Sequence, residues 1–476
     1  MPWKKILSSI SVSLFTFALF FIQMNQPVMQ SEKNVLGVQA QEGCALKSKG
    51  DANCDGQISN IDFEIWRQEF LKIVNTTNAN FNFEDDDIVS LLDYEIWREQ
   101  YLASPIYDCG ENCAPLTIEG DEEATLPGGR PSFFRGFADP SMRKDPLSDR
   151  LWLGYSWPNI HVVNNSTLIP GIDTHLAYSD DNGAHWQFSG TLFPSYPDTN
   201  PLTGATGYTV NEVVNLLPVE KNGQATWYAV HLTYFIPQEG GLLERPIQSF
   251  RMEITRAASP PELADSPAAT LGAQKTAQEW GVDIYLSDLS PEVADCKLWN
   301  EPALYYENDT LYTLMRCLRF TQQGKPDTKH SNQVVFATDA QGDIKSWNWR
   351  YVGSFAGEQA ATELGGEGLT QLDIVKSKHG DLLAIMTPDT WSTDLNEFIH
   401  YGCRVVKLDS IDPPVLSRNQ QGQLDLVANI LATDLDEIGP AACTYDPNSV
   451  NGIIMTRRMK NAQGLSASLH QTYIKP

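Results

Sequence analysis

The sequence predicts a mainly β protein, a β-propeller with five blades ahead of six, preceded by a small α-helical module. Three observations predict it: a short hairpin pattern recurs five times after residue 130, a turn motif sits between two of the predicted strands, and an aromatic helix pattern occurs twice near the front. The clearest hairpin is Trp299–Cys317, WNEPALYYENDTLYTLMRC. It has an apolar run at Ala303–Tyr306, a polar turn at Glu307–Thr310 and a second apolar run at Leu311–Met315. Related hairpins start at Phe137, Asn211, Leu369 and Gly439, with second strands beginning at Leu151, Trp227, Leu311, Leu382 and Ile453. Those starting points are nearly evenly spaced, the regular recurrence of a short all-β unit that a propeller produces. The intervals also leave room for long loops, where binding and chemistry usually sit.

The chain begins with Lys4–Lys5, an apolar run from Ile6 to Ile22 and small residues at Val38 and Ala40. Residues 1–40 are therefore expected to be a secretory signal cut before Gln41, the alternative being an uncleaved anchor. No later stretch is apolar enough to span a membrane, so the expected location is secreted, extracellular or associated with the cell surface. The net charge is −26 and becomes −28 without residues 1–40. That acidity excludes a nucleic-acid partner, which needs a basic face, and fits an exported or calcium-binding protein. Eight cysteines are an even number compatible with disulfides after export. They fall into one set at Cys44, Cys54, Cys109 and Cys113 and another at Cys296, Cys317, Cys403 and Cys443. Without paired CxxC spacing or a histidine cluster, zinc is not expected.

Residues 41–113 hold the module. Its loop 51–62, DANCDGQISNID, places Asp51, Asn53, Asp55 and Asp62 at positions 1, 3, 5 and 12, the Gln57 carbonyl at position 7 and Gly56 at the turn. Alternating oxygens in a tight loop point to one centre, as a hard cation requires. The following DFEIWRQEFL puts Phe63, Trp66 and Phe70 on one helical face. The pattern returns at Asp93–Leu102 as DYEIWREQYL, with Tyr94, Trp97 and Tyr101 matching. The second loop then offers Asn82, Glu84, Asp86 and Asp93, with Asp87 in place of the turn glycine. Over residues 50–102 this duplication resembles a type I dockerin, an EF-hand-like module. The resemblance implies structural calcium and a cohesin-type protein partner. Asn60–Ile61 and Leu91–Leu92 stand where well-known dockerins carry Ser-Thr recognition pairs.

Residues 114–130 read as a linker rich in Pro, Gly and acid, and residues 131–476 as the propeller. Ser179–Trp186, SDDNGAHW, has the form S-x-D-x-G-x-x-W, with a degenerate relative at Thr338–Trp347. In it Asp181 caps a turn, Gly183 takes positive φ and Trp186 plugs between strands. These are structural positions. The chemistry is expected where the inner strands start near the axis. Those residues are Arg135 and Asp139, then Asn211 and Glu212, then Asn300 and Glu301, then Gln371 and Asp373, then a nearly bare GPAA. Carboxylates converging on one axis suit glycosidic cleavage, which needs a protonated acid and an ionised partner. They could equally serve backbone amides or structural water, the reading preferred for Asp373.

The turn motif resembles the Asp-box of sialidase-like propellers. The motifs FADPS at Phe137–Ser141 and NEPAL at Asn300–Leu304 resemble those of five-bladed arabinanase- and xylosidase-like glycosidases. That resemblance implies Asp139 as general base and Glu301 as general acid of an inverting reaction. It also implies an Asp in the second blade, where this chain departs from the pattern and offers Asn211 and Glu212, the latter as the third acid. Ser132–Gly136, SFFRG, and the pair Glu301 and Arg316 resemble sialidases instead. That implies Arg135, Arg316 and Arg404 gripping a substrate carboxylate. Both resemblances imply an exported glycoside hydrolase with a glycan substrate. The alternatives are a non-catalytic propeller holding glycan against aromatics such as Trp157 and Trp391, or an adhesion protein.

The loop carboxylates repel one another when empty, so calcium is expected to order the module. Chelation should strip helical circular dichroism from a 41–113 fragment, and Asp55→Ala should do the same. A full helical signal in excess chelator would remove calcium from the reading.

Overall fold

The computed structural model describes residues 50–54, 60–82, 88–103, 106–108, 113–164, 167–239, 247–273, 279–393, 397–419, 422–431, 439–461 and 464–476. The expected signal at 1–40, and Asp55, Gln57, Glu84 and Asp86 of the two loops, lie outside them. The chain divides into a small unit within Gln23–Tyr107 and a large one from Asp108 to Pro476.

In the small unit the repeated sequence forms helices α1 (Asn60–Phe70) and α2 (Leu91–Ala103). Phe63 packs against Trp97 with ring centres 5.0 Å apart, and Trp66 against Tyr94 at 5.0 Å. The aromatic faces of the two copies thus bury each other. Each copy also uses its loop aspartate in the same way. Asp62 Oδ1 accepts from the backbone N–H of Ala52 and Asn53 (2.7 and 3.2 Å). Asp93 Oδ1 accepts from Phe81 and Asn82 (2.6 and 3.1 Å). Asp51, Asp62 and Asp93 are buried.

Among the described residues the large unit consists of five main antiparallel sheets. From the centre outward, the first blade is Ala138–Lys144, Leu151–Val163, Thr167–Ser179 and Trp186–Phe193; the second is Thr206–Lys221, Gln224–Pro237, Gln248–Ala257 and Ala268–Gly272. The third is Leu298–Glu307, Thr310–Phe320, Pro326–Thr338 and Arg350–Ala356. The fourth is Gly368–Lys376, Leu382–Ser392, Cys403–Ile411 and Leu426–Leu431; the fifth has Ala441–Thr444, Ile454–Asn461 and Gly464–Gln471. The inner strands adjoin in chain order and the fifth meets the first, closing a five-bladed propeller. The hairpins form for the reason the sequence suggests. In the third blade the turn narrows to Asn308 and Asp309, both at positive φ (50° and 59°), the conformation that matches strand twist.

The segment 114–130, expected as a linker, is built into the sheets. Ala114–Pro115 pairs with His470–Gln471, and Ile118–Glu119 pairs with Trp186–Gln187. Phe134–Gly136 runs parallel to Leu465–Ala467 and supplies an outer strand of the fifth blade. The ring is thereby closed by chain that precedes the first blade. Such short strands carry too little periodicity to be read from sequence, and the partners that close the ring lie at the far end of the chain. Disulfides join Cys296 to Cys317 in the third blade and Cys403 to Cys443 across the fourth and fifth.

The Asp-box lies between the third and outer strands of the first blade. Gly183 N–H donates to Ser179 Oγ at 2.8 Å and His185 N–H to Asp181 Oδ1 at 2.9 Å. Gly183 has φ +94° and Trp186 is buried. Its degenerate relative occupies the same place in the third blade, with Trp347 buried in the core.

Every inner strand carries one bulge at the same level. The pairing register slips after Ala138, Glu212, Asn300, Thr370 and Ala441. The next residue in each, Asp139, Val213, Glu301, Gln371 and Ala442, has φ between 46° and 54°. Left-handed backbone is costly for residues other than glycine, most of all for a β-branched one like Val213. Hydroxyls on neighbouring blades hold three of these bulges. Asp139 N–H donates to Thr456 Oγ1 (3.0 Å), Val213 N–H to Ser156 Oγ (2.9 Å) and Ala442 N–H to Thr387 Oγ1 (3.2 Å).

Two residues further along lies a second belt. Ser141, Asn215 and Thr444 each accept a backbone N–H of the next blade, from Leu216, Leu304 and Met142, all at 2.9 Å. Asp373, at the same level of the fourth blade, accepts from both Nη atoms of Arg143, from Asn215 Nδ2 (3.1 Å) and from Thr444 Oγ1 (2.8 Å). Between the two belts the axis narrows to a cavity of about 20 Å³, near the size of one water.

Asp373→Ala strands the Arg143 charge in the interior. It is expected to cost about 3–5 kcal/mol, whereas Ser141→Ala, which removes one acceptor, should cost about 1–3 kcal/mol. Equilibrium urea unfolding of both variants checks the contrast; equal small losses would show that the ion pair does not anchor the ring.

Candidate functional site

The bulge lifts one side chain per blade toward the axis, and three of the residues at this level are acids. Asp139 and Glu301 are themselves the left-handed residues of the first and third blades, and Glu212 precedes Val213 in the second. All three are buried, at 3 %, 0 % and 3 % exposure, so each carboxylate has lost its hydration. The structure brings them together: the charges of Asp139 and Glu301 both act on Glu212.

Burial pushes Asp139 up from 3.8 to about 6, against the downward pull of Ser156, Arg458 and Gln371. Gln371 Nε2 donates to Asp139 Oδ1 at 3.2 Å, while Oδ2 meets no donor. Glu212 is raised well above the usual range by burial, then by the charges of Asp139 and Glu301, with a Tyr234 hydrogen bond opposing. Its Oε2 also has no hydrogen-bond partner. Asn300 Oδ1 and Thr370 Oγ1, in the residues just before the bulges of the third and fourth blades, are likewise buried without partners. Polar atoms left unpaired in a protein interior are costly. They are concentrated at one level of four inner strands. Protonated and ionised carboxyls side by side can give and take protons at a bound substrate.

The three arginines expected to grip a substrate are each engaged by other groups of the chain. Arg135 lies on an outer strand of the fifth blade, where its Nε donates to Glu123 at 2.7 Å and its Nη1 to the Ser132 carbonyl at 2.9 Å. It is not on the inner strand of Asp139, because the chain completes the last blade before entering the first. Arg316, on the second strand of the third blade, forms a buried bidentate pair with Asp389 (2.6 and 3.1 Å). Arg404, on the third strand of the fourth blade, donates to the carbonyls of Leu364 (3.0 Å) and Tyr401 (2.9 Å). Asn211 donates to the Pro194 carbonyl at 2.9 Å. Trp157 stacks on His175 and donates to the Glu122 carbonyl, while Trp391 packs edge-on against Phe398.

Four residues of the site have no signal in the sequence. Arg458, fully buried on the second strand of the fifth blade, acts on Asp139 and donates to His400 Nδ1. His400 stands on an added strand, Glu397–His400, which pairs with the prolonged second strand of the fourth blade opposite Asp389. Tyr234, on the second strand of the second blade, holds Glu212 and stacks on Phe250 at 5.1 Å. Asp389 completes the set. All lie on second strands or an inserted hairpin, outside the inner-strand starts where periodicity directs attention.

A larger surface hollow, about 610 Å³, lies at the opposite end of the first inner strand, lined in part by Lys144, Asp145 and Asp446. Its charges are engaged locally: Lys144 pairs with Asp149 at 2.8 Å, and Asp446 accepts from Lys144 N–H and Asn448.

No protein-family description and no curated protein matches the sequence. Among solved structures, the chain is similar to a thermostable family-43 glycoside hydrolase, at 11 % identity over 70 % of this chain and 88 % of that one, TM-score 0.38. It is similar to Zg3597, a family 117 glycoside hydrolase produced by the marine bacterium Zobellia galactanivorans, at 11 % identity over 71 % and 86 %, TM-score 0.38. It is also similar to the catalytic domain of the Coprinopsis cinerea GH62 α-L-arabinofuranosidase, at 10 % identity over 77 % and 96 %, TM-score 0.39. The five-bladed architecture rests on the sheet pairing described above.

Proposed function

We propose that the protein is a secreted glycoside hydrolase acting on polysaccharide or glycoconjugate. The observation that carries this reading is the group of three buried acids, Asp139, Glu212 and Glu301, presented by three blades at one level with carboxylate oxygens of Asp139 and Glu212 left for a ligand. In this reading Asp139 is the ionised base and Glu301 the acid that protonates the leaving oxygen. Glu212, kept protonated between them, donates a hydrogen bond and spares the site a third negative charge. The placement of Arg135, Arg316 and Arg404 favours neutral sugars over sialic acid, since the one of these three that pairs with the acid-bearing strand of the third blade, Arg316 opposite Asn300, is already matched by Asp389. A single guanidinium already paired cannot also offset the desolvation of a substrate carboxylate.

The small unit is proposed to bind calcium and to tether the enzyme to a cohesin-type partner. Support comes from Asp51 and Asp62, buried at the two ends of the first loop, and Asp93 in the second. Oxygen donors of this kind fit a hard divalent cation, whose role would be to hold the loops against the helices. Leu91 and Leu92, at 62 % and 50 % exposure at the start of α2, offer an apolar contact for a partner.

Glu301→Gln should fold normally and lose about 10²–10⁴-fold in turnover, the contribution of a positioned acid. The assay sets neutral aryl-glycosides beside sialosides, with Arg316→Ala as control. Retained activity in Glu301→Gln removes that residue from the mechanism, and sialoside cleavage that collapses in Arg316→Ala would reverse the ranking of substrates. Because the base must be ionised, kcat/KM should rise with pH through about 6, the value set for Asp139 by burial, and the rise should be absent in Asp139→Asn.

A further inference from the structure

One amide side chain ties three blades together at the level of the acids. Gln371 is the left-handed residue of the fourth inner strand (φ 50°) and is buried. Its Oε1 accepts the backbone N–H of Ala442, the left-handed residue of the fifth blade, at 2.8 Å. Its Nε2 donates to Oδ1 of Asp139, the left-handed residue of the first, at 3.2 Å. The two ends of an amide are alike in shape but opposite in hydrogen bonding. A backbone N–H can only donate, so the atom that meets Ala442 must be the carbonyl oxygen. The amide is therefore locked, and the group it turns to Asp139 is always the NH2. That group has hydrogens and no accepting lone pair, so a proton on Oδ1 would point at hydrogens. The other oxygen, Oδ2, is buried and meets no hydrogen-bond partner among the described residues. The two oxygens of one carboxylate are thus made unequal by a neighbour that is itself fixed by the backbone.

We propose that Gln371 is a positioning residue that reserves Oδ2 of Asp139 as the atom that takes up the proton in the reaction. This rests on Asp139 being the base proposed above. In hydrolysis the oxygen of water bonds to the anomeric carbon and the bond from that carbon to the leaving oxygen breaks. Oδ2 takes the proton that the water gives up, and Glu301 delivers its own proton to the leaving oxygen. The attacking water must then stand on the Oδ2 side of Asp139. A glutamate in place of Gln371 would serve Ala442 equally well, yet it would set a second carboxylate against Oδ1, and the two would compete for one proton. A methionine would fill the space and offer neither bond. The bulge of the fifth blade does not depend on the amide alone, because Ala442 N–H also donates to Thr387 Oγ1 at 3.2 Å.

Two measurements on the full-length protein test this. The first is the pH dependence of turnover. Gln371→Met removes a donor to the ionised form of Asp139, so the acid limb of kcat/KM, set near about 6 in wild type, should move up by about one pH unit. Above the limb kcat should fall about 10–100-fold, the effect of a misaimed group, with KM nearly unchanged. Gln371→Glu should move the limb up at least as far, although it keeps the bond to Ala442. The second measurement reads ionisation without turnover. Asp139 is raised in the folded state, so between 3.8 and about 6 the folded protein holds a proton that the unfolded chain has lost. The stability this contributes is complete below that window and is lost as pH rises through it. Thermal unfolding of each protein against its Asp139→Asn counterpart locates the upper edge, which both Gln371 variants should raise in step with the limb. The other groups acting on Asp139 are Ser156 of its own blade, Glu212 and Tyr234 of the second and Arg458 of the fifth, and these variants leave them in place. A Gln371→Glu protein with the limb and edge of wild type overturns the proposal, as does a Gln371→Met protein that loses stability with both unmoved. If Gln371→Met does not fold, Gln371→Glu decides alone. Absence of glycosidase activity in wild type beside edges that move as expected would overturn the reaction assigned to the site and leave the orientation of Asp139 standing.

Discussion

The ion pair between Arg143 and Asp373 is the contact on which the ring depends. Asp373 receives Arg143 from the first blade, Asn215 from the second and Thr444 from the fifth, while Asn215 also accepts the Leu304 N–H of the third. Two steps of hydrogen bonding therefore connect all five blades through one carboxylate. A propeller is held mainly by apolar packing between sheets, which has no strong preference for angular position. Directional bonds at the axis supply that preference. A buried pair of this kind adds little net stability, so its value lies in specifying how the blades meet.

The level above this hub is where structure and chemistry share one device. Each inner strand bends into left-handed backbone at one residue, and the strain is borne by a hydrogen-bonded frame that reaches across blades. In the fifth blade the device carries alanine and serves closure alone. In the first and third it carries Asp139 and Glu301, whose side chains are thereby aimed by the backbone rather than by a flexible stem. Strain of this sort persists only where surrounding structure enforces it. The hydroxyls of Ser156, Thr387 and Thr456 do so here.

Electrostatics then divide the carboxylates. Asp373 and Asp389 each face an arginine squarely and serve the fold. Asp139 is raised by burial, and Glu212 by burial and by the charges of Asp139 and Glu301, so they sit closer to the pH at which protons are exchanged. Arg143, on the first inner strand, and Arg316, on the second strand of the third blade, are each matched by one of those aspartates, Asp373 and Asp389.

The hairpins, the Asp-box turn, the paired aromatic helices and the inner-strand acids Asp139, Glu212 and Glu301 could all be read from the sequence. Each is a local pattern: alternation along a strand, helical spacing of aromatics, or a turn residue at a fixed offset. Tertiary structure alone decided that residues 114–119 and 134–136 are strands of the first and last blades, so that Arg135 stands on an outer strand. It alone matched Arg316 with Asp389 and brought Tyr234 and Arg458 to the acids. Those placements depend on closing a ring whose meeting strands come from opposite ends of the propeller sequence. Periodicity tells which side chains share a face of one strand, but the partner that face meets is fixed only when five sheets pack around a common axis.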